Sequence, residues 1–406
     1  MIKYIVNALN IDDLPRWLLV NLFLAAMILG IFNALFFITS FSGFLAHHDL
    51  TFYPEIVAGS GILGVLMFNL YKYLLKNYSL QTTAFVFFGA FALIILVAEF
   101  LPVFFPFISS SVVLLGIWMP VTIISEQIFY KIAENIPSVK EHQNLKRFLE
   151  FGTIVGSVLM SIIVILLALL QVTVPFLIIS IVCLLFVVLN YAFLSKRMEY
   201  KFENKDDESV DSLISLLSEV PLKRTVLTVV LFATLSILTF VFVEYSFLSV
   251  LDKIYNNEIQ LLQFMGFFMA AIMTVNLILK LFVYQNLIKS FRINKALQVS
   301  PFFMFLMMLV INVLLLIPKY DTILGPFSLL FLSIVLCRFF SYLLRESFEL
   351  FSLRLFFSAI ETYTKRIVSR FLYQLLNFWS FIFAGLLLLL FNSMEIKSLN
   401  GILLVN

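Results

Sequence analysis

Residues 325–349 read GPFSLLFLSIVLCRFFSYLLRESFE. Gly325 to Cys337 carry no charge, and by length and apolarity the stretch reads as a membrane-spanning helix. Its second half nevertheless holds Arg338, Arg345, Glu346 and Glu349. Arg338, Tyr342, Arg345 and Glu349 follow at intervals of four, three and four, which sets them on one helical face. A charge at the centre of a spanning helix costs about 2.5–3.5 kcal/mol on insertion scales. A chain accepts that cost where the charge faces a watery cavity or pairs with another charge.

The rest of the composition agrees with a membrane protein. Of 406 residues, 62% are hydrophobic and 13% charged, against about 25% charged in a soluble domain. So much apolar surface does not fit inside one water-soluble core. The fold class expected is an all-α polytopic membrane protein whose first partner is the lipid bilayer. Cys183 and Cys337 fall inside apolar runs and read as small core residues. The three histidines show no HExxH spacing, and neither CxxC nor an EF-hand loop occurs, so no metal is expected. Walker A and GxGxxG are absent and no nucleophile stands beside a base, so neither a cofactor nor catalysis is expected. The 48 Phe residues read as packing and lipid-facing bulk, not as a platform for bases, and no nucleic acid polymer is expected as a partner. Residues 1–16 lack a cleavable signal pattern. Ile2, Ile5, Val6 and Leu9 suggest an amphipathic helix on the membrane surface.

Runs long enough to span fall at 17–41, 53–75, 80–100, 107–130, 150–170 and 173–195, then at 225–250, 260–288, 296–318, 325–349 and 366–391. A polar linker, 196–224, separates the two groups. The spacing therefore predicts a six-helix bundle over 17–195 and a second bundle over 225–406, with five spans and a partial sixth that stops at GILLVN. An incomplete twelfth span would leave a gap that either a partner protein or a longer natural chain fills. Most of the 27 Lys and Arg residues, Lys72, Lys146, Arg147, Lys205 and Arg366 among them, fall on one side. The opposite loops between spans hold only Lys253 and Lys319. The positive-inside rule puts the N-terminus in the cytoplasm, of a bacterial inner membrane in this reading.

The halves also repeat. YKYLLKNY (71–78) after the second span matches YQNLIKSF (284–291) after the eighth. Ser125-Glu126-Gln127 before Lys146-Arg147 matches Arg345-Glu346-Ser347 before Lys365-Arg366. Parallel repeats joined by a linker are the pattern of six-plus-six transporters, two bundles in pseudo-twofold arrangement with the substrate near the midplane.

Depth sorts the charges inside the spans. Glu55 and Glu99 sit near outer ends, close to water. Glu126, Arg345, Glu346 and Glu349 lie toward inner ends, where they form an ion-pair latch with the basic turns or a gate that moves with a transport cycle. Arg338 is about 20 Å into its span at a 1.5 Å rise, near the middle. It either faces a cavity and binds an anionic or polar solute, or is buried against a carboxylate on a neighbouring helix. Lys280 either helps it or snorkels to the surface. Glu244 is the natural acidic partner, and equally a proton-coupling site. Gly152 and Gly156 form a GxxxG for close helix approach.

LNIDDLPRWLLVNLFL (9–24), GIWMPVTIISEQIF through LKRFLEFGTIVGS (116–157), VFVEYSFLSVLDKIYNNEIQLLQFMGFF (241–268) and RESFELFSLR with KRIVSRFL (345–372) carry a family likeness. Together they resemble the ATP/ADP translocases of bacteria and plastids, a branch related to the major facilitators. The resemblance implies a major-facilitator-like carrier with Glu244 at the family's acidic position. It departs where FFITSFSGFLAHH (36–48) lacks a Lys or Arg, and where Ser246-Phe247 follows Glu244 in place of a basic residue. Both differences remove phosphate ligands. The more diverse bacterial relatives of unassigned substrate look closer.

The expectation is a secondary transporter of a small anionic solute, a nucleotide being one candidate. Arg338, Lys280, Arg345 and Tyr342 would bind it, and Glu244, Glu126, Glu346 and Glu349 would couple or gate. The alternative is a non-transporting membrane subunit that keeps the carrier fold as a scaffold.

Overall fold

The computed structural model describes residues 15–104, 109–134, 142–171, 176–198, 223–255, 257–280, 293–315, 328–349 and 368–393. The expected surface helix over 1–16 except for Pro15 and Arg16, most of the 196–224 linker, the 284–291 repeat, Lys365-Arg366 and the partial twelfth span lie outside these residues.

The described chain is helical, and each expected span has its helix. They are α1 Arg16–His47, α2 Tyr53–Asn77, α3 Leu80–Phe104, α4 Ser110–Glu134, α5 His142–Leu169 and α6 Phe176–Met198. Then come α7 Lys223–Ile254, α8 Glu258–Ile278, α9 Ile293–Leu315, α10 Leu329–Leu344 and α11 Val368–Ser393. A 3₁₀ turn, Leu50–Phe52, links α1 to α2, and a π turn, Arg345–Glu349, extends α10. Among the described residues nine helices are long and apolar enough to cross a membrane. α9 and α10 contribute the shorter apolar stretches Gln298–Leu314 and Leu329–Leu344.

These helices carry large apolar side chains on outer faces as well as inner ones. Phe302, Phe305, Leu93 and Leu235 are exposed, while Phe32, Phe36, Phe88, Phe129 and Phe148 are fully buried. In water such an exterior would aggregate. In lipid it is the solvated face, because an α-helix satisfies its own backbone donors and acceptors. The chain is a multi-pass membrane protein.

Two compact units emerge. One takes the described residues of Met1–Phe44, Leu66–Asp207 and Ile259–Leu277, the other those of Leu45–Val65, Glu208–Glu258 and Ile278–Asn406. The first half of α2 therefore belongs with α7, α10 and α11, and α8 belongs with α1 and α3 to α6.

Within the first unit α3 packs on α4 and α6, and α4 on α5. Small residues let α1 and α5 nearly touch. A Cβ on Gly30 would collide with the Thr153 backbone, and one on Gly156 with the Met27 backbone. One on Gly152 would lie 2.7 Å from the Ala26 Cβ. Ser157 closes the contact by donating to the Gly30 carbonyl at 3.0 Å. The GxxxG of the sequence thus has its partner helix. α8 joins this unit against α5, with Gln263 donating to the Ala168 carbonyl at 3.2 Å.

Within the second unit α7 packs on α10 and α11, and α9 on α10. The first half of α2 lies against α11. A Cβ on Gly61 would sit 2.7 Å from Ile382, and one on Gly385 2.5 Å from the Ala58 backbone nitrogen.

Candidate substrate site

The second unit holds the charged cluster. On α7, Ser236, Phe240 and Glu244 are spaced by four and share one face. α10 packs against α7 and presents Arg338 and, from the π turn that continues it, Arg345 and Glu349. Arg338 Nη2 bonds Glu244 Oε1 in an ion pair whose side chains are each 2% exposed. The hydroxyl of Tyr53, at the start of α2, donates to the other oxygen, Oε2, at 2.9 Å. Glu244 therefore has both oxygens engaged, one by a guanidinium and one by a phenol.

Burying this pair is tolerable only because each charge has its partner. Removing an ion from water costs several kcal/mol, and a well-aligned opposite charge with further hydrogen bonds offsets it. Phe240 contributes a second compensation. The Arg338 guanidinium carbon stands 4.0 Å from its ring centroid and that of Arg345 4.4 Å. A cation over a ring face is attracted by its quadrupole, more strongly when desolvated. On its other side the Nη1 of Arg338 is buried with no acceptor among the described residues.

A second carboxylate lies at the other end of the same face. Glu349, 2% exposed, accepts from Ser236 Oγ at 2.5 Å. Ser300 on α9 is a further hydroxyl at this carboxyl, and Arg345 is the nearby positive charge. The widened turn Arg345–Glu349 sets this end of the helix off from ordinary α pitch.

Ion pair, shared ring and buried second carboxylate all sit in a chain of stacked apolar helices that solved structures also show. The xylose transporter XylE of E. coli in its inward-open conformation is similar at a TM-score of 0.60 and 13% identity. The match covers 96% of this chain and 92% of that one. Its partially occluded inward-open conformation is similar at a TM-score of 0.54 and 12% identity, over 93% of this chain and 98% of that one. The fold is that of the major facilitators. At such low identity the likeness speaks for the fold alone. No family model matches the sequence, and no curated protein matches it.

On this major-facilitator frame the expected site residues divide. Arg338, Arg345, Glu244 and Glu349 come together in the second unit. Tyr342, half-buried, stands on α10 between the two arginines, and Glu346 is half-buried on the π turn. Lys280 is half-buried just past the end of α8. Glu126 belongs to the first unit, where Asn33 of α1 donates to it at 3.0 Å. About two turns earlier on α4, Trp118 packs its indole on Phe37 and Phe41.

Sequence reasoning missed Tyr53, Ser236, Phe240 and Ser300. The four-residue spacing of Ser236, Phe240 and Glu244 was an available signal. Tyr53 left none, since it lies 191 positions from Glu244.

Proposed function

We propose that this chain is a secondary transporter of a bacterial inner membrane, N-terminus cytoplasmic, working by alternating access. Its substrate is a small anionic solute, a nucleotide being one candidate, and Arg338 is the residue that holds it. The observation that carries this reading is Nη1 of Arg338, a buried donor with no acceptor among the described residues, beside an occupied Nη2. A buried unsatisfied donor costs about 1–3 kcal/mol. A carboxylate or phosphate oxygen of a solute would remove that cost.

Glu244 is the resident counter-ion in this scheme. It keeps the guanidinium neutralised when no solute is present, and Tyr53 keeps its second oxygen occupied. Tyr342 on α10, Arg345 on the π turn that continues it, and Lys280 are further candidate contacts for the solute. The xylose transporter that shares the fold takes a neutral sugar, so the fold does not choose the substrate's charge and the arginine does.

The test is uptake of labelled nucleotides and organic anions into proteoliposomes. Loss of one hydrogen bond to a charged group is worth about 1.5–3 kcal/mol, so Arg338→Ala should weaken binding about tenfold to a hundredfold. Arg338→Ala also leaves Glu244 unpaired, so the double variant Arg338→Met with Glu244→Leu serves as the folded control and should not bind. Unchanged uptake and binding in both variants would remove Arg338 from the site.

A further inference from the structure

The two buried carboxylates of the second unit differ in what surrounds them. Glu244 faces an obligate donor. A guanidinium has N–H groups and no lone pair to offer, and it does not lose its charge in a protein. A proton on Glu244 would leave Arg338 buried and uncompensated. Glu349 is bonded instead to a hydroxyl, Ser236 at 2.5 Å, with Ser300 as a second. A hydroxyl both donates and accepts. When Glu349 gains a proton, Ser236 can turn from donor to acceptor, and the cation left over, Arg345, is half-buried where Arg338 is 2% exposed.

We propose that Glu349 is a reversible proton site, linked to the solute site through Arg345 and Phe240. This rests on the transporter reading above for its role in coupling, though not for the protonation itself. The charged groups around Glu349 are Arg345 and Glu346 on its own turn. α7 and α9 present the hydroxyls of Ser236 and Ser300. The bond made is one O–H on the Glu349 carboxyl, the proton coming from bulk water and returning to it.

Charge balance supplies the link. Within the protein Arg338 is matched by Glu244 and Arg345 by Glu349. A monoanion arriving at Arg338 adds one negative charge to a buried cluster. A proton on Glu349 returns the cluster to the charge it had before, by leaving Arg345 without its counter-charge, and Arg345 shares the Phe240 ring with Arg338. Anion and proton would thus be taken up together.

Infrared difference spectra of the reconstituted full chain, titrated across about pH 5–8 where such a switch is useful, read the C=O stretch of a buried protonated carboxyl. The expected result is a titrating band that E349Q lacks and E244Q keeps. Ser236→Ala keeps the carboxyl and should keep the band with a displaced midpoint. A band intact in E349Q, lost only in E244Q, or missing from the wild type overturns the proposal. In parallel, labelled lactate, phosphate and ADP are offered to proteoliposomes under an inward proton gradient. For a singly charged probe carried with one proton, each pH unit should drive about tenfold accumulation, lost in E349Q. Gradient-driven accumulation that survives in E349Q also overturns the proposal. A titrating Glu349 band with no uptake of any probe supports the proton site and counts against the carrier reading alone.

Discussion

Replacing Glu244 with Leu removes one half of the buried ion pair and leaves Arg338, 2% exposed, with the Phe240 ring as its remaining partner among the described residues. Breaking a buried pair from one side typically costs 3–5 kcal/mol, about 3 being enough to change the folded-to-unfolded ratio more than a hundredfold. Arg338→Met strands Glu244 in the same way, with Tyr53 as its remaining donor, and should cost a similar amount. Tyr53→Phe removes only one hydrogen bond to a charged group, about 1.5–3 kcal/mol. The double variant Glu244→Leu with Arg338→Met removes both charges and fills the space with apolar groups. Such exchanges are often neutral or stabilising, so the double variant should recover to near the wild type. Thermal and detergent-induced unfolding of the four purified variants in micelles measures the series, and the coupling follows from the double-mutant cycle. A double variant as unstable as the two single losses added together would refute the picture of one buried, mutually neutralising unit. So would a Glu244→Leu as mild as Tyr53→Phe.

Three further outcomes follow from the same structure. Gly156→Leu should abolish the close approach of α1 and α5 and cut the yield of folded protein. Gly89→Leu, where an added Cβ meets nothing within 4 Å, should be tolerated, and size-exclusion profiles of the two variants compare them. Trp379 is 56% exposed on α11, whereas Trp118 packs on Phe37 and Phe41. In single-tryptophan variants brominated lipid should quench Trp379 strongly and Trp118 weakly, and equal quenching would misplace the lipid face. His48, between α1 and the 3₁₀ turn, has its pKa held below the ordinary 6.5, by burial first and then by His47, with Asp49 opposing. Folding that favours neutral His48 contributes stability in full above the unfolded value, and this is lost as pH falls through the lower folded value. His48→Gln should flatten that acid-side loss of stability in unfolding midpoints measured below about pH 6.5.

The spans were readable because a bilayer imposes a local rule. About 20 apolar residues in a row cross it, and each run from 17–41 to 366–391 became a helix. The face of α10 was readable for a similar reason, since residues at helical spacing must share a side. What those residues touch is not a local property. Glu244 and Arg338 are 94 positions apart, Ser236 and Glu349 113, and only the packing of α7 on α10 brings them together. The sequence left Arg338 open between a cavity and a carboxylate, and the structure shows the carboxylate. The repeat matches Glu126 with Glu346, which is half-buried on the π turn, and the burial of Glu349 beside it had no counterpart in that pattern. Nothing in apolar periodicity marks a π turn, because the run of side chains looks the same whether the backbone is wound at 3.6 residues or wider.

That wider turn has a consequence of its own. From Arg345 to Glu349 the backbone carries surplus length. Deleting a single residue there would let the coil tighten to α pitch, so the turn would absorb most of the roughly 100° by which the same deletion rotates a regular α-helix. Glu349 would then keep its side toward Ser236, whereas a deletion one turn earlier, in α10 itself, would carry it away. Ahead of the turn the count of residues, as much as their identity, decides which acid meets α7.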